Sequence, residues 1–192
     1  MPEPYHQPEL APGAVRARGA VLQVLLEDVR SAPGRAVRLS VAWAVDSGVE
    51  DVPFVAPARG EVTVRAEGAR LRLSGRVGTR ARLVCGRCLA AFEAPLVAEL
   101  DEWLDPELEP GEEVLVEDGV LVMPLEGPEV DVAEIVRQHL VLAIPYAPLC
   151  RADCAGLCPV CGADRNHNPC RCPQRAPDPR WEVLRTALGG QA

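Results

Sequence analysis

The chain has 192 residues, of which 48% are hydrophobic, 25% are charged and 4% are aromatic, and its formal net charge is −8. This composition allows a buried core and excludes a wholly disordered chain, and the acidic balance argues against uniform electrostatic coating of nucleic acid. The length suits one medium domain, or one domain with a small appendage.

The N-terminus carries no sign of a secretory signal. The first ten residues, MPEPYHQPEL, contain neither a basic stretch nor an apolar one, and residues 1–14 are expected to form a flexible lead-in. The longest apolar runs, AVLQVLLEDV and LVLAIPYAPLC, are too short or too interrupted to span a bilayer. We therefore expect a cytoplasmic protein whose thiols stay reduced.

Charge is unevenly distributed along the chain. Residues 1–88 hold 13 arginines and 9 acidic residues, a net charge of +4, and residues 150–192 have a net charge of +2. Residues 89–149 hold 15 acidic residues and one arginine, a net charge of −14. A local basic surface is therefore still possible in this acidic protein.

Residues 37–100 alternate between apolar and polar side chains, which predicts β-strands. In EVTVRAEGARLRLSGRV the alternation places four apolar residues on one face of a sheet, namely Val62, Val64, Leu71 and Leu73. Glu67-Gly68 is the predicted hairpin turn. Two more strands are predicted on either side of the tetrapeptide CGRC, and residues 119–127 predict one further strand.

After Asp131 the spacing of the apolar residues changes to that of an amphipathic helix. Asp131 is the predicted N-cap of this helix, and Pro145 ends it. Residues 178–190 predict a second helix. We therefore predict an α+β fold: a mainly antiparallel β-sheet or partial barrel with two helices and a C-terminal zinc-ribbon-like segment. Residues 15–149 form the predicted core domain, and residues 150–192 form a cysteine-rich segment and helix packed on it.

Six of the eight cysteines lie between residues 150 and 172. Zinc binds four thiolates in a tetrahedron, and a Cys-x-x-Cys turn supplies two of them from one tight loop. Gly86 and Gly162 are expected to help the two such turns close around metal. A self-contained zinc-ribbon-like site is predicted at Cys158, Cys161, Cys170 and Cys172.

The other four cysteines make a second zinc site if two distant parts of the chain meet in space. This site would use Cys85, Cys88, Cys150 and Cys154 and would pin the segment after the first helix onto the sheet. A rival arrangement is a single mixed site that leaves four spare thiols, formed by Cys85, Cys88, Cys158 and Cys161. The favoured arrangement has two structural zinc ions.

No catalytic motif accompanies the cysteines. The chain has no HExxH, no GxSxG, no phosphate-binding glycine loop and no zinc-deaminase signature. Asp101, Glu102 and Asp105 are carboxylates of the type that binds Mg²⁺, but a solvated acidic loop is the favoured interpretation. We therefore predict that the protein is not an enzyme.

Arginines with period-two spacing form a candidate binding face for RNA. Guanidinium groups suit phosphate or carboxylate ligands, and alternate residues of a strand share a face. The competing interpretation is a solvated sheet face that the acidic middle of the chain partly neutralises. The candidate RNA-binding residues are Arg65, Arg70, Arg72, Arg76, Arg80 and Arg82.

Three pieces of the chain, in this order, resemble the YceD family, the large ribosomal RNA subunit accumulation proteins of bacteria and plastids. They are CGRCL at 85–89, VDVAEIVRQHLVLAIPYAPLC at 130–150, and CAGLCPVCGADRN…CRC…DPRWEVL at 154–184. The resemblance covers about residues 35–190. Family members typically show Asn-Leu-Asn after the CPxCG motif, whereas this chain has Asp164-Arg165-Asn166.

The resemblance implies a non-catalytic ribosome-biogenesis factor that supports accumulation of large-subunit ribosomal RNA, with metal in a structural role. The implied partner is this RNA or a ribosomal assembly protein, with no membrane and no small-molecule substrate. Two other functions are weighed against it. One is a zinc-ribbon adaptor whose residues 101–118 dock a basic ribosomal protein, and the other is a thiol redox switch or enzyme.

Overall fold

The computed structural model describes residues 16–18, 21–111, 114–115, 121–173 and 178–187, so the predicted lead-in at residues 1–14 lies outside the described residues. Within these ranges the chain forms nine strands: β1 (Arg16–Arg18), β2 (Val21–Leu25), β3 (Ala36–Trp43), β4 (Ala58–Glu67), β5 (Arg70–Val84), β6 (Ala91–Asp105), β7 (Val114–Leu115), β8 (Leu121–Pro124) and β9 (Glu129–Asp131). It also forms three α-helices: α1 (Leu26–Ser31), α2 (Val132–Leu142) and α3 (Glu182–Ala187). No helix in the described part of the chain is long and apolar enough to cross a membrane.

The main sheet has six strands in the order β3-β4-β5-β6-β8-β7. All neighbouring strands are antiparallel except β6 and β8, which run parallel. The sheet is open, with β3 and β7 at its edges, so the predicted α+β class and mainly antiparallel sheet are confirmed without closure into a barrel. A smaller sheet of order β1-β2-β9, which the sequence pattern did not predict, lies beside α1 and α2.

Alternation along β4 and β5 buries the predicted apolar face. Val62, Val64, Leu71 and Leu73 are all fully buried, and α2 packs against β2, β5 and β6. The helix contributes three buried side chains, Val132, Val136 and Leu140. The opposite face of β3, β4, β5 and β6 carries exposed and half-buried side chains, and we call it the outer face.

The β4–β5 hairpin differs from the prediction in two details. Its turn is Gly68-Ala69 rather than Glu67-Gly68, because Glu67 is still paired with Arg70, and Gly68 adopts a φ of +65° that suits glycine. β5 is also one strand of 15 residues that runs to the CGRC turn, where the pattern predicted two strands. Pairing with β4 and then along the whole of β6 keeps it continuous.

Both predicted helices begin at the expected residues. The Asp131 carboxylate accepts a hydrogen bond of 3.0 Å from the amide of Glu134, as an N-cap does, and α2 ends before Pro145. The C-terminal helix starts with a 3-10 turn at Pro179–Trp181 and continues as α3. The predicted strand in residues 119–127 is β8.

Candidate metal centres

The first group of four sulfurs joins the sheet to the segment after α2. Cys85 and Cys88 lie in the turn between β5 and β6, and Cys150 and Cys154 lie beyond the end of α2. The Cys85 and Cys154 sulfurs are 3.8 Å apart, and the Cys88 and Cys150 sulfurs are 3.7 Å apart. All four sulfurs lie within 4.8 Å of one another, and we call this group the inner cluster.

The sulfur spacing of the inner cluster suits a four-coordinate metal ion. Four thiolates at about 2.3 Å from a zinc ion in a tetrahedron lie about 3.8 Å from each other. The two sulfur–sulfur distances in the inner cluster match this edge length. The donor set therefore fits a soft, tetrahedral ion.

Hydrophobic side chains and backbone hydrogen bonds surround the inner cluster. Cys85, Cys88 and Cys154 are buried, and Phe92, Leu149 and Leu157 pack against them. The Gly86 amide donates to the carbonyl of Pro148 at 2.8 Å, and the Leu157 amide donates to the carbonyl of Arg87 at 3.1 Å. The Arg87 guanidinium donates to the carbonyl of Cys154 at 3.0 Å. Both loops are therefore fixed against each other by the backbone as well as by the sulfurs.

The second group is formed within one short segment. Cys158, Cys161, Cys170 and Cys172 also place their four sulfurs within 4.8 Å of one another, and we call this group the outer cluster. Cys158 is buried, Cys161 is exposed and the other two are half-buried. The eight sulfurs thus fall into the two sets that the spacing favoured, and the rival mixed set does not form.

The two Cys-x-x-Cys turns share one backbone geometry. The amide four residues after the first cysteine donates back to that cysteine's carbonyl at 2.9 Å in both, from Leu89 to Cys85 and from Gly162 to Cys158. Gly162 has a φ of +73° and Leu89 has a φ of +61°. Gly86 was expected to supply the conformational freedom of the first turn, but the left-handed residue there is Leu89, whose side chain is 64% exposed.

Backbone amides that point at the sulfurs favour thiolates. Amide hydrogen bonds from Cys150, Cys88 and Arg87 lower the pKa of Cys85 to about 6, and amides of Cys161 and Val160 lower that of Cys158 to about 6. Burial and the neighbouring sulfurs raise the pKa of Cys150 to about 12. Several thiolates crowded in one buried site repel one another, and a bound cation removes this penalty.

The three carboxylates considered for a Mg²⁺ site each have a separate partner. The three carboxylates face different partners, and the described residues place them in no group of metal-ligating side chains. Their partners are Arg72 for Asp101 at 2.7 Å, His139 for Glu102 at 2.8 Å and Arg70 for Asp105 at 3.0 Å.

Four of the six candidate RNA-binding arginines have acidic partners within the protein. Arg70 and Arg72 pair with carboxylates of β6, and Arg72 also lies over the ring of Trp103 at 5.3 Å. Arg80 and Arg82 both approach Glu93 at 3.8 Å. The acidic middle of the chain thus neutralises much of the charge of the candidate arginines. This agrees with the alternative interpretation of a partly neutralised, solvated sheet face.

The remaining arginines of the outer face include three that lie on β3 and β4, toward its free edge. Arg65 has no acidic partner in the described residues, and Arg76 lies between Glu61 and Glu99 in the strand register without a close ion pair. The strand register adds two arginines that the sequence analysis did not single out, Arg38 on β3 and Arg59 on β4. We call Arg38, Arg59 and Arg65 the basic edge.

A family model and one named relative point to the same family. The family model described as "Large ribosomal RNA subunit accumulation protein YceD" matches residues 73–186, a range that holds all eight cysteines. A chloroplastic YCED homolog of Arabidopsis thaliana is similar, with 27% identity over 164 residues, which covers 73% of this chain and 51% of the relative.

Mycobacterial relatives extend the comparison. An uncharacterized protein of Mycobacterium tuberculosis is 31% identical over 108 residues, which covers 56% of this chain and 51% of the relative. An uncharacterized protein of Mycobacterium leprae is 26% identical over 137 residues, which covers 71% of this chain and 62% of the relative. The chain spans about half the length of most of the curated relatives it matches. No solved structure gives a significant match. Because the family model covers more than half of the chain, this protein belongs to the YceD family.

Proposed function

We propose that this protein is a non-catalytic ribosome-assembly factor of the cytoplasm that supports accumulation of large-subunit ribosomal RNA. The description of its family, which names large-subunit ribosomal RNA, carries this proposal. The name of the chloroplastic relative points to the same RNA.

We assign two structural zinc ions to the protein, one to each cysteine cluster. The support is the donor chemistry: two sets of four sulfurs whose spacing suits tetrahedral coordination. Zinc would neutralise the crowded thiolates and cross-link the loops that carry them. Elemental analysis of protein purified without chelator should give two zinc ions per chain. One ion or none would remove one or both assignments.

Contact with RNA is proposed at the basic edge of the outer face. An arginine that is already paired with a carboxylate must release that partner to bind phosphate, and the nearby acid repels the incoming phosphate. Arg38, Arg59 and Arg65 form no ion pair in the described residues, and directly across the strands they face Thr63, Gly78 and small or basic neighbours, although Glu61 and Glu67 lie on the same face of β4. The paired arginines then order the sheet surface beside the edge instead of binding RNA themselves.

Two double charge reversals test this contact with equal changes in net charge. The first variant, Arg38→Glu with Arg65→Glu, alters the basic edge. The second, Arg80→Glu with Arg82→Glu, alters the two arginines that approach Glu93. We expect the first pair to weaken binding to large-subunit ribosomal RNA at least tenfold and to make the salt dependence shallower by about two units. The second pair should have a smaller effect on both.

The outcomes separate the candidate functions. Equal loss of binding in both variants would mean that overall charge, and not the basic edge, governs the interaction. Absence of RNA binding by the unmodified protein, together with co-purification of a basic ribosomal protein, would favour the adaptor function. Folding of both variants is checked by circular dichroism and by their zinc content.

A further inference from the structure

Asn166 lies between two outer-cluster cysteines in the sequence, but its side chain contacts a cysteine of the inner cluster. It lies in the loop between Cys161 and Cys170, which supply two of the outer sulfurs. Its amide nitrogen is 3.4 Å from the sulfur of Cys154, an inner-cluster residue that is only 3% exposed. A single side chain therefore connects the two proposed metal centres.

The orientation of this amide is determined by its neighbours. The Asn166 side-chain oxygen accepts from the backbone amide of Ala155 at 2.8 Å and from the guanidinium of Arg151 at 2.7 Å. Both neighbours are donors only, so the oxygen must face them and the NH₂ group must face the other way. There it donates to the Asp164 carboxylate at 2.7 Å and to the Cys154 sulfur.

The hydrogen bond from Asn166 restrains the orientation of the buried Cys154 sulfur. Donors to a ligating atom commonly orient the ligand and tune its bond to the metal.

Backbone contacts hold the loop that carries Asn166 against residues 156–158, which connect the two clusters. The Arg165 amide donates to the carbonyl of Gly156 at 2.9 Å, and Leu157 forms a β-bridge with Asp164. The Cys158 amide donates to the carbonyl of Ala163 at 2.8 Å. The loop also starts and ends at outer-cluster sulfurs, so closure of that cluster would restrain the position of Asn166 beside Cys154.

We propose that Asn166 is a positioning residue that orients the Cys154 thiolate and makes retention of the inner metal ion depend on closure of the outer cluster. This inference rests on the proposed binding of two metal ions. It predicts that the outer ion protects the inner one, and by thermodynamic reciprocity that the inner ion also stabilises the outer one.

The test replaces zinc with ¹¹³Cd and follows each cluster by its own resonance. Each ¹¹³Cd signal is assigned through its correlation with the β-protons of Cys154 or Cys161. Asn166→Asp keeps an oxygen for Ala155 and Arg151 but loses the donor to the sulfur. We expect it to shift the inner resonance, and to speed release of zinc from the inner cluster to a chelator by about 10- to 100-fold.

Three further variants complete the experiment. Asn168→Ala is the matched control, because Asn168 lies in the same loop and its side chain makes no hydrogen bond among the described residues, so both resonances should stay unchanged. Cys161→Ser opens the outer cluster and should accelerate inner release to a similar extent as Asn166→Asp. Asn166→Ala, which removes the whole amide, provides a second measurement if the aspartate variant folds poorly.

The results distinguish this inference from the assignment of metal itself. If the unmodified protein binds two ¹¹³Cd ions and Asn166→Asp leaves the inner resonance and the release rate unchanged, the coupling is wrong while the metal assignment stands. If the unmodified protein binds no metal, both fail. A shift of the outer resonance alone would also overturn the coupling.

Discussion

The two clusters close loops of very different length, which predicts how strongly each one stabilises the fold. Metal in the inner cluster would tie Cys88 to Cys150, which are 62 residues apart. Metal in the outer cluster would close a loop of roughly ten residues between Cys161 and Cys170. The chain-entropy relation for a cross-link gives about 4 kcal/mol for the longer loop and about 2.5 kcal/mol for the shorter one.

Loss of the two metal centres should also affect parts of the fold of different size. Cys88→Ser opens the loop that joins the β5–β6 turn to the segment after α2, so we expect the free energy of unfolding of the whole domain to fall by about 4 kcal/mol. Cys161→Ser removes an exposed thiol from a cluster contained in residues 158–172. That segment should loosen, and the free energy of unfolding of the sheet should fall by less than it does for Cys88→Ser.

Urea unfolding monitored by far-ultraviolet circular dichroism measures the loss in the sheet, and limited proteolysis measures loosening of residues 158–172. Elemental analysis of each variant should show one remaining zinc ion, which confirms that only one cluster was opened. Equal decreases in the free energy of unfolding for both variants, or a larger decrease for Cys161→Ser, would refute the argument from loop length.

Two other features give separate predictions. Hydrogen bonds from Arg137 lower the pKa of Glu134 to about 2 from its ordinary value of 4.5, so the stability they add is present above pH 4.5 and is lost as the pH falls toward 2. The stability difference between the unmodified protein and Glu134→Gln in urea should therefore shrink over this range, and a constant difference would contradict it. At Gly75 a Cβ atom would lie 2.3 Å from the carbonyl oxygen of Glu61, whereas at Gly78 it would lie 3.1 Å from the nearest atom. Gly75→Ala should lower the free energy of unfolding by about 3 kcal/mol or more and Gly78→Ala by about 1 kcal/mol, and similar values for the two would contradict the close approach of β4 and β5.

Features that depend on short-range spacing were predictable from the sequence alone. The alternation that buries Val62 and Leu71, the Asp131 cap of α2 and the two Cys-x-x-Cys turns are each set by neighbouring residues. The YceD resemblance also rests on such local motifs. The smaller sheet escaped prediction because β2 pairs with β9 across more than a hundred residues and both strands are short.

Only the tertiary structure decided which distant groups meet. Cys85 and Cys150 share a cluster because the β5–β6 turn and the end of α2 lie at the same end of the sheet, and no spacing rule expresses that meeting. The pairing of Arg72 with Asp101 follows from the register between β5 and β6. A one-residue change in that register would move a strand's side chains to the opposite face, so the charge of the outer face depends on strand pairing and not on composition.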